Sequence, residues 1–428
     1  MRKSGRQVTR TARSIALGSI LAIAWIAPAA LHADSALDRE FGTPRAGLSG
    51  RERAMGGAGA ALDGNPTALL GIPATMALGR GTRLQFTGDV GRASETRYVP
   101  LYDTFDSYVA DAAIAVNDHV TGEFGGGVAM TRREWRGVTL GIASYERFDP
   151  RHDYQDERRT TATTDEVVAE RFITTRGTLR GTSFGAAYPL PWWDTAVGVA
   201  VTHYGGTITD RDALVSRVAN VSGLTLAETR DLSGTSLTLG AHGRIGNRLD
   251  AALAWESGPK LHDDFTTWSD DSITSAPNAH RNAFYPPRVT LAGAYRPRNT
   301  LRTTFVTDVI WTGWSNIRDP RDPSLRFNDT WDVRFGLEHV YANTLPARIG
   351  FRYERAPQTS EADRVAFTFG VGYKLDRVAL DLSSEVSRRQ SWQDPVWARV
   401  DQGPAIGAGS DRVQDGLMRL SVDATWEF

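Results

Sequence analysis

From about residue 82 to the end, apolar and polar residues alternate one for one in segment after segment. The last segment is the clearest. Leu420, Val422, Ala424, Trp426 and Phe428 fall on one side, and Arg419, Ser421, Asp423, Thr425 and Glu427 on the other. A period of two is that of a β-strand, whose successive side chains leave on opposite faces. About ten such residues let a tilted strand cross the hydrocarbon of a bilayer. Taken alone, the segment suits the edge of a soluble sandwich equally well. Alternating segments also fall near 82–90, 109–117, 122–130, 178–189, 195–207, 231–243, 248–257, 287–296, 300–311, 330–341, 345–355, 363–373 and 377–388, and the terminal one spans 416–428. That makes about fourteen strands, an even number, as a closed antiparallel single-chain barrel requires. A further candidate at 137–147 is read as an extension of the third strand.

The connections decide between sandwich and barrel. Short turns are expected near Asp118–Thr121, Pro191–Asp194, Arg244–Asn247, Pro297–Asn299, Ala342–Thr344 and Lys374–Asp376. They alternate with longer segments at 91–108, 131–177, 208–230, 258–286, 312–329, 356–362 and 389–415. Tight turns on one side and long loops on the other is the pattern of an outer-membrane barrel, turns periplasmic and loops extracellular. The faces agree. Val333, Phe335 and Leu337, or Val365, Phe367, Phe369 and Val371, make apolar outer faces, with Arg334, Glu338, Arg348, Arg352, Asp381 and Glu385 opposite. Charges suit a lumen and are costly against lipid. Tyr188, Tyr295, Tyr341 and Tyr373 are placed at the periplasmic interface, and Trp255, Trp311, Tyr353 and Trp426 at the extracellular or C-terminal ends, as two aromatic girdles. The expected fold is all-β, a barrel of about fourteen antiparallel strands over residues 82–428.

The N-terminus is organised differently. Arg2, Lys3, Arg6, Arg10 and Arg13 precede an apolar run from Ser14 to Ala30, and Leu31-His32-Ala33 ends on a small residue. That is the layout of a secretory signal peptide, with cleavage expected after Ala33. Nothing else in the chain is apolar enough to span as a helix, so a membrane position requires a closed barrel. Mean hydropathy is −0.34 and formal net charge −1, which leaves no basis for nucleic-acid binding. With no cysteine, disulfides and thiolate metal sites are excluded.

Between Gly47 and Gly81 the alternation is absent. This stretch is rich in Gly and Ala, with Asn65-Pro66 and Ile72-Pro73 breaks, and suits a compact plug, residues 34–81, inside the barrel. Here the chain resembles the long-chain fatty acid transporters of the outer membrane (FadL type) and their hydrocarbon-transporting relatives. Arg53-Ala54-Met55-Gly56-Gly57-Ala58 and Asp63–Ala68 match that family's N-terminal run, and Pro73-Ala74 matches the end of its Asn-Pro-Ala motif, although Ile72 stands where asparagine is usual. The resemblance implies a hatch carrying Arg53, Met55, Gly56, Gly57, Asn65, Pro66, Pro73 and Ala74. It also implies a third strand kinked inward so that an apolar ligand leaves sideways. Gly125, Gly126 and Gly127 fall on the third strand of the count above, as such a lateral gate or as glycines of barrel curvature alone. The terminal strand, ending on Phe428, is similar to the strand by which such barrels engage their assembly machinery.

Other chemistry is sparse. Arg302, Arg348 and Arg352 are candidates to pair with a ligand carboxylate, or members of an interior ion-pair network. Trp314, in Trp311-Thr312-Gly313-Trp314-Ser315, resembles the family's aromatic-serine run and is either a ligand contact or a girdle residue. Leu214, Val215, Val218, Val221 and Leu224 have near-helical spacing, so an amphipathic helix is expected in loop 208–230, collecting ligands or packing on its neighbours. No histidine pair has metal-ligand spacing and no Gly-x-Ser-x-Gly appears, so neither an enzyme nor a cofactor is expected, His242 being the only hint of a barrel-wall esterase. Asp319, Asp322 and Asp329 form either a calcium loop or a solvated one. The expected function is passive uptake of hydrophobic small molecules, fatty acids or hydrocarbons, across the bacterial outer membrane. The expected surroundings are outer-membrane lipid and lipopolysaccharide. The alternatives are a scaffold or shuttle for secreted proteins and a general diffusion porin.

Overall fold

The computed structural model describes residues 43–44, 47–103, 105, 107–159, 167–191, 194–217, 223–270, 272–276, 279–298, 302–317, 326–358, 360–393 and 411–428. The expected signal peptide lies outside them. Fourteen staves close a barrel. They are β1 (Thr82–Tyr102), β2 (Tyr108–Thr131), β3 (Thr139–Asp149, resuming as His152–Arg159) and β4 (Val167–Gly177, resuming as Leu179–Leu190). Next come β5 (Thr195–Ser216), β6 (Leu224–Ile245), β7 (Leu249–Glu256, resuming as Lys260–Ser269) and β8 (His280–Phe284, resuming as Arg288–Tyr295). The last six are β9 (Thr303–Thr312), β10 (Thr330–Tyr341), β11 (Leu345–Glu354), β12 (Arg364–Leu375), β13 (Val378–Gln393) and β14 (Asp411–Glu427). The terminal strand closes the wall against the first, with Leu84 opposite Trp426 and Val90 opposite Leu420.

The alternation maps onto the two faces. Phe86, Val90, Phe124, Phe184, Val201, Leu291, Ile349, Phe367 and Val422 are exposed outward. Arg334, Glu338, Arg348, Arg352 and Glu385 are buried inward. A wall whose outside is apolar and whose inside is charged is at equilibrium only with lipid outside, so the chain is a bacterial outer-membrane barrel.

Two expectations about the staves need correction, and they cancel in the count. Asp118–Thr121 is not a turn, because β2 runs unbroken through it. Asn117 and Asp118 are polar for other reasons: Asn117 accepts a hydrogen bond from Gln155 N, and Asp118 pairs with Arg92 across the outer face. The 137–147 segment is a stave of its own, β3, reached by a turn at 132–138. The glycines 125–127 therefore sit on the second stave, not the third. Trp426, opposite Val378, lies at the C-terminal end of the last stave, on the short-turn side. Loop 208–230 holds no helix among its described residues; it is the outer ends of β5 and β6, paired from Thr195 to Leu214.

Wall height is uneven. β1, β2, β5 and β6 have 21, 24, 22 and 22 residues, whereas β9 to β12 have 10, 12, 10 and 12. The rim is lowest over β9–β12.

Candidate functional site: the hatch, two cavities and a seam in the wall

Residues 47–79 fold as short turns within the lumen, a one-turn helix Gly50–Arg53 and 3-10 turns Ala60–Leu62, Pro66–Leu70 and Pro73–Leu78. Pro66 and Pro73 each open a turn, where a missing N–H costs nothing. Asn65 N donates to the Asp63 carboxylate. The glycines have two separate causes. Gly56 and Gly57 take φ of +72° and +82°, a left-handed turn that a side chain disfavours. On the wall, a Cβ on Gly350 would stand 2.1 Å from Gly56 N, so only glycine lets the hatch backbone lie directly on β11. Substituting Gly350→Val should unseat Met55–Gly57. Limited trypsin cleavage in the Arg51–Arg53 segment should then speed up at least roughly tenfold, while the barrel keeps its heat-modifiable mobility.

Polar contacts hold the hatch. Arg51 forks onto Glu338 at 2.6 and 3.0 Å, and Arg348 shares that carboxylate at 2.7 Å. Arg53 meets Asp89 at 3.0 Å and lies over the Tyr145 ring. Gly59 and Ala60 N donate to Asp308, Gly56 N to Thr368, and Gly57 O accepts from Arg334. Met55 is buried with Ala58, Ala294 and Val306. Ile72, the departure from the family motif, is buried with Ala61, Ala74, Ala252, Ala254 and Ala292, an apolar setting that gives an asparagine no partner. Burial pushes the Glu52 and Asp63 carboxyls up, Glu52 well above the usual range with the Asp63 charge adding to the shift.

Two cavities lie in series. The outer one, about 970 Å³ counting its open mouth, is lined by Phe148, Pro259, Tyr285, Pro286 and Trp314 with Thr312, Thr330 and Pro357 toward the low rim. The inner one, about 640 Å³ counting the space open to its surroundings, lies between hatch residues such as Glu52, Ala60 and Leu70 and wall residues such as Asp308 and Ile310. They share Arg147, Glu256 and Arg288.

The expected ligand-binding residues separate. Arg348 and Arg352 are neutralised by carboxylates, Arg352 by Glu354 at 3.0 Å and Glu385 at 2.6 Å, so they belong to the ion-pair network. Arg302 is exposed at the start of β9, its carbonyl accepting from Val340, away from the lumen. Trp314 lines the outer cavity, packed with Ile317 and Phe327. Sequence reasoning missed Arg288, which among the described residues has no ion pair or hydrogen bond for its side chain. His242 sits beside Asp250, which Arg244 and Arg296 also hold, an ion cluster without a nucleophile. Asp319 and Asp322 lie outside the described residues, and Asp329 accepts from Ser315 N.

Around the three glycines the wall is incompletely laddered. β1 and β2 pair along their whole length, but β2 pairs with β3 only from Gly126 to Thr131. From Gly125 outward, among the described residues, side chains bridge the gap and the two-residue strand Thr43–Pro44 pairs with Phe148 and Asp149 of β3. Glu146 N donates to Glu123, Arg151 and Arg180 donate to the Gly122 and Phe124 carbonyls at 2.9 and 3.0 Å, and His119 meets His152 edge-on at 6.4 Å. A Cβ on Gly125 would stand 2.2 Å from Tyr145, and one on Gly127 2.8 Å from Pro66 of the hatch. The glycines thus join the foot of this seam to the plug.

No family model and no curated protein matches the chain. Solved structures do. A Pseudomonas aeruginosa FadL homologue superposes with TM-score 0.64 at 14% identity over 90% of this chain and 100% of that one. The Pseudomonas putida toluene transporter TodX gives 0.60 at 14% over 90% and 99%, and the Ralstonia pickettii toluene transporter TbuX 0.58 at 14% over 90% and 99%. The chain has the fold of these outer-membrane proteins.

Proposed function

We propose that the chain carries hydrophobic small molecules inward across the outer membrane, and that its preferred ligand is an apolar chain with an anionic head. The observation that carries this reading is Arg288, a guanidinium without a side-chain partner among the described residues and shared by two successive cavities. Around it the outer cavity sets five arginines, Arg147, Arg288, Arg355, Arg364 and Arg389, against three carboxylates, Glu256, Asp332 and Glu354. A cation in a poorly solvated site gains from a charge-assisted hydrogen bond to a carboxylate. The aromatic and proline lining takes the apolar body. The low rim over β9–β12 supplies the way in. Neutral arenes, which TodX and TbuX are described as transporting, have no use for such a charge balance.

The way out is the β2–β3 seam. β3 serves both places, since Arg147 and Phe148 line the outer cavity and Glu146 beside them bridges to Glu123. Side-chain bridges and the two-residue pairing of Thr43–Pro44 with β3 satisfy the backbone there in place of a β2–β3 ladder, so the stretch opens in small pieces and not as a cooperative sheet. A solute leaving sideways never exposes its apolar surface to the periplasm. A diffusion porin fits poorly with a lumen occupied by residues 47–79.

Arg288→Met tests the ligand class. In titrations of the detergent-solubilised barrel, dodecanoate should bind about 10- to 100-fold more weakly, the loss of one charged hydrogen bond, while dodecanol keeps its affinity. Equal affinities of both ligands before and after substitution would remove the anionic head from the proposal.

A further inference from the structure

Between the two cavities the lumen is crossed by side chains. Stave β3 pairs regularly with β4 up to Glu146 opposite Arg180, then skips a residue, so that Phe148 stands opposite Leu179. Arg147 is the extra residue of a β-bulge. A bulge re-aims the side chains around it, and here both Arg147 and Phe148 turn toward the outer cavity instead of one facing lipid. Arg147 reaches Glu256 of β7 at 2.6 Å, and Phe148 stacks on Tyr285, in the break within β8, with ring centroids 4.4 Å apart.

These contacts are chords. Three staves, β4, β5 and β6, separate β3 from β7, roughly 19 Å of wall at about 4.8 Å per strand, yet the charged groups touch. Glu256 is held in place by the Tyr204 hydroxyl at 3.0 Å, which itself accepts from Ser236 at 3.3 Å. Both members of the pair line both cavities, so they stand where one cavity passes into the other.

The wall is creased at the same level. β4 breaks after Gly177, whose φ is +115°, β7 breaks at 257–259 and β8 at 285–287. Along this crease Leu179, Tyr204, Ile208, Leu232, Leu261 and Tyr285 form an apolar cluster that includes Phe148. One edge of the bar is therefore greasy and the other ionic.

We propose that Arg147–Glu256 and Phe148–Tyr285 form a crossbar that sets which ligands pass from the outer to the inner cavity. A slender chain slides along the apolar edge beneath Phe148, and a bulky body is stopped by the ion pair. The proposal rests on the uptake reading above and names the residues that select by cross-section within it.

The test compares uptake of two labelled acids by cells carrying the barrel, dodecanoate and an acid with the same head and an adamantyl body. Glu256→Gln should raise the ratio of adamantyl to dodecanoate uptake about tenfold, a shift of roughly 1.4 kcal/mol in discrimination. The charge swap Arg147→Glu with Glu256→Arg should restore wild-type discrimination. The chain has no cysteine, so Arg147→Cys with Glu256→Cys, bridged by a bismaleimide, should stop uptake of both acids while dodecanoate binding to the purified barrel persists. An unchanged uptake ratio in Glu256→Gln, or full uptake through the bridged barrel, overturns the crossbar. Absence of any dodecanoate binding to the unmodified barrel instead overturns the uptake reading on which it rests.

Discussion

Deleting residues 47–78 should convert the barrel into an open pore, with single-channel conductance in planar bilayers at least roughly tenfold above that of the intact chain. The staves do not need the hatch to close. β1 is laddered to β14 from Arg83 to Tyr98 and to β2 along its length. The hatch instead fills the space those staves enclose, and many separate contacts keep it there. Arg51 on Glu338 and two backbone N–H groups on Asp308 are each charged hydrogen bonds, worth about 1.5–3 kcal/mol apiece, and Arg53 adds an ion pair to Asp89. Glu338→Gln should accordingly leave the pore mostly closed but flickering, because the Asp308 and Asp89 contacts persist. Equal conductance with and without residues 47–78 would mean that the lumen conducts past the hatch, the behaviour of a diffusion porin.

Much of this architecture is legible in the chain. The period of two marks most staves because one face meets lipid and the other meets charge, and that contrast is strong within the membrane. It fades above it. The outer ends of β4 to β6 are satisfied by cross-strand ion pairs such as Arg171–Asp212, with neither face apolar, so Leu214, Val215 and Leu224 read as a helix that does not form. Asp118–Thr121 reads as a turn because aspartate favours turns, yet Asp118 serves an outer-face ion pair and Asn117 before it serves the seam. The hatch is legible since a run of Gly and Ala without alternation has few other uses in a barrel. The site is less so. Whether an arginine in the lumen is free or paired depends on which carboxylates reach it across the barrel, and neither register nor reach is visible in a single strand. Arg348 stands opposite Glu338, but Arg352 stands opposite Arg334 and meets Glu385 two staves away, while Arg288 stands opposite Glu256, whose carboxylate Arg147 takes. The bulge at Arg147 has the same origin, a one-residue slip in pairing that leaves no mark on composition.

The seam carries the largest consequence for transport. His119 of β2 and His152 of β3 face each other across the unpaired stretch, and neither is a ladder partner of the other. Bridging this stretch covalently should lock the wall without disturbing the strands on either side. Uptake should then fall at least roughly tenfold, since the side-chain bridges must separate for an apolar body to leave, while binding in the outer cavity is untouched. The reverse holds for a path straight down through the hatch, which the bridge leaves open.

The direct measurement is dodecanoate uptake by cells carrying His119→Cys with His152→Cys, before and after a short bis-methanethiosulfonate cross-linker and again after reduction. The lateral route predicts wild-type uptake before bridging, loss of at least about 90% after it, and recovery once the bridge is cut. Uptake that stays at the wild-type rate through a fully bridged seam contradicts it.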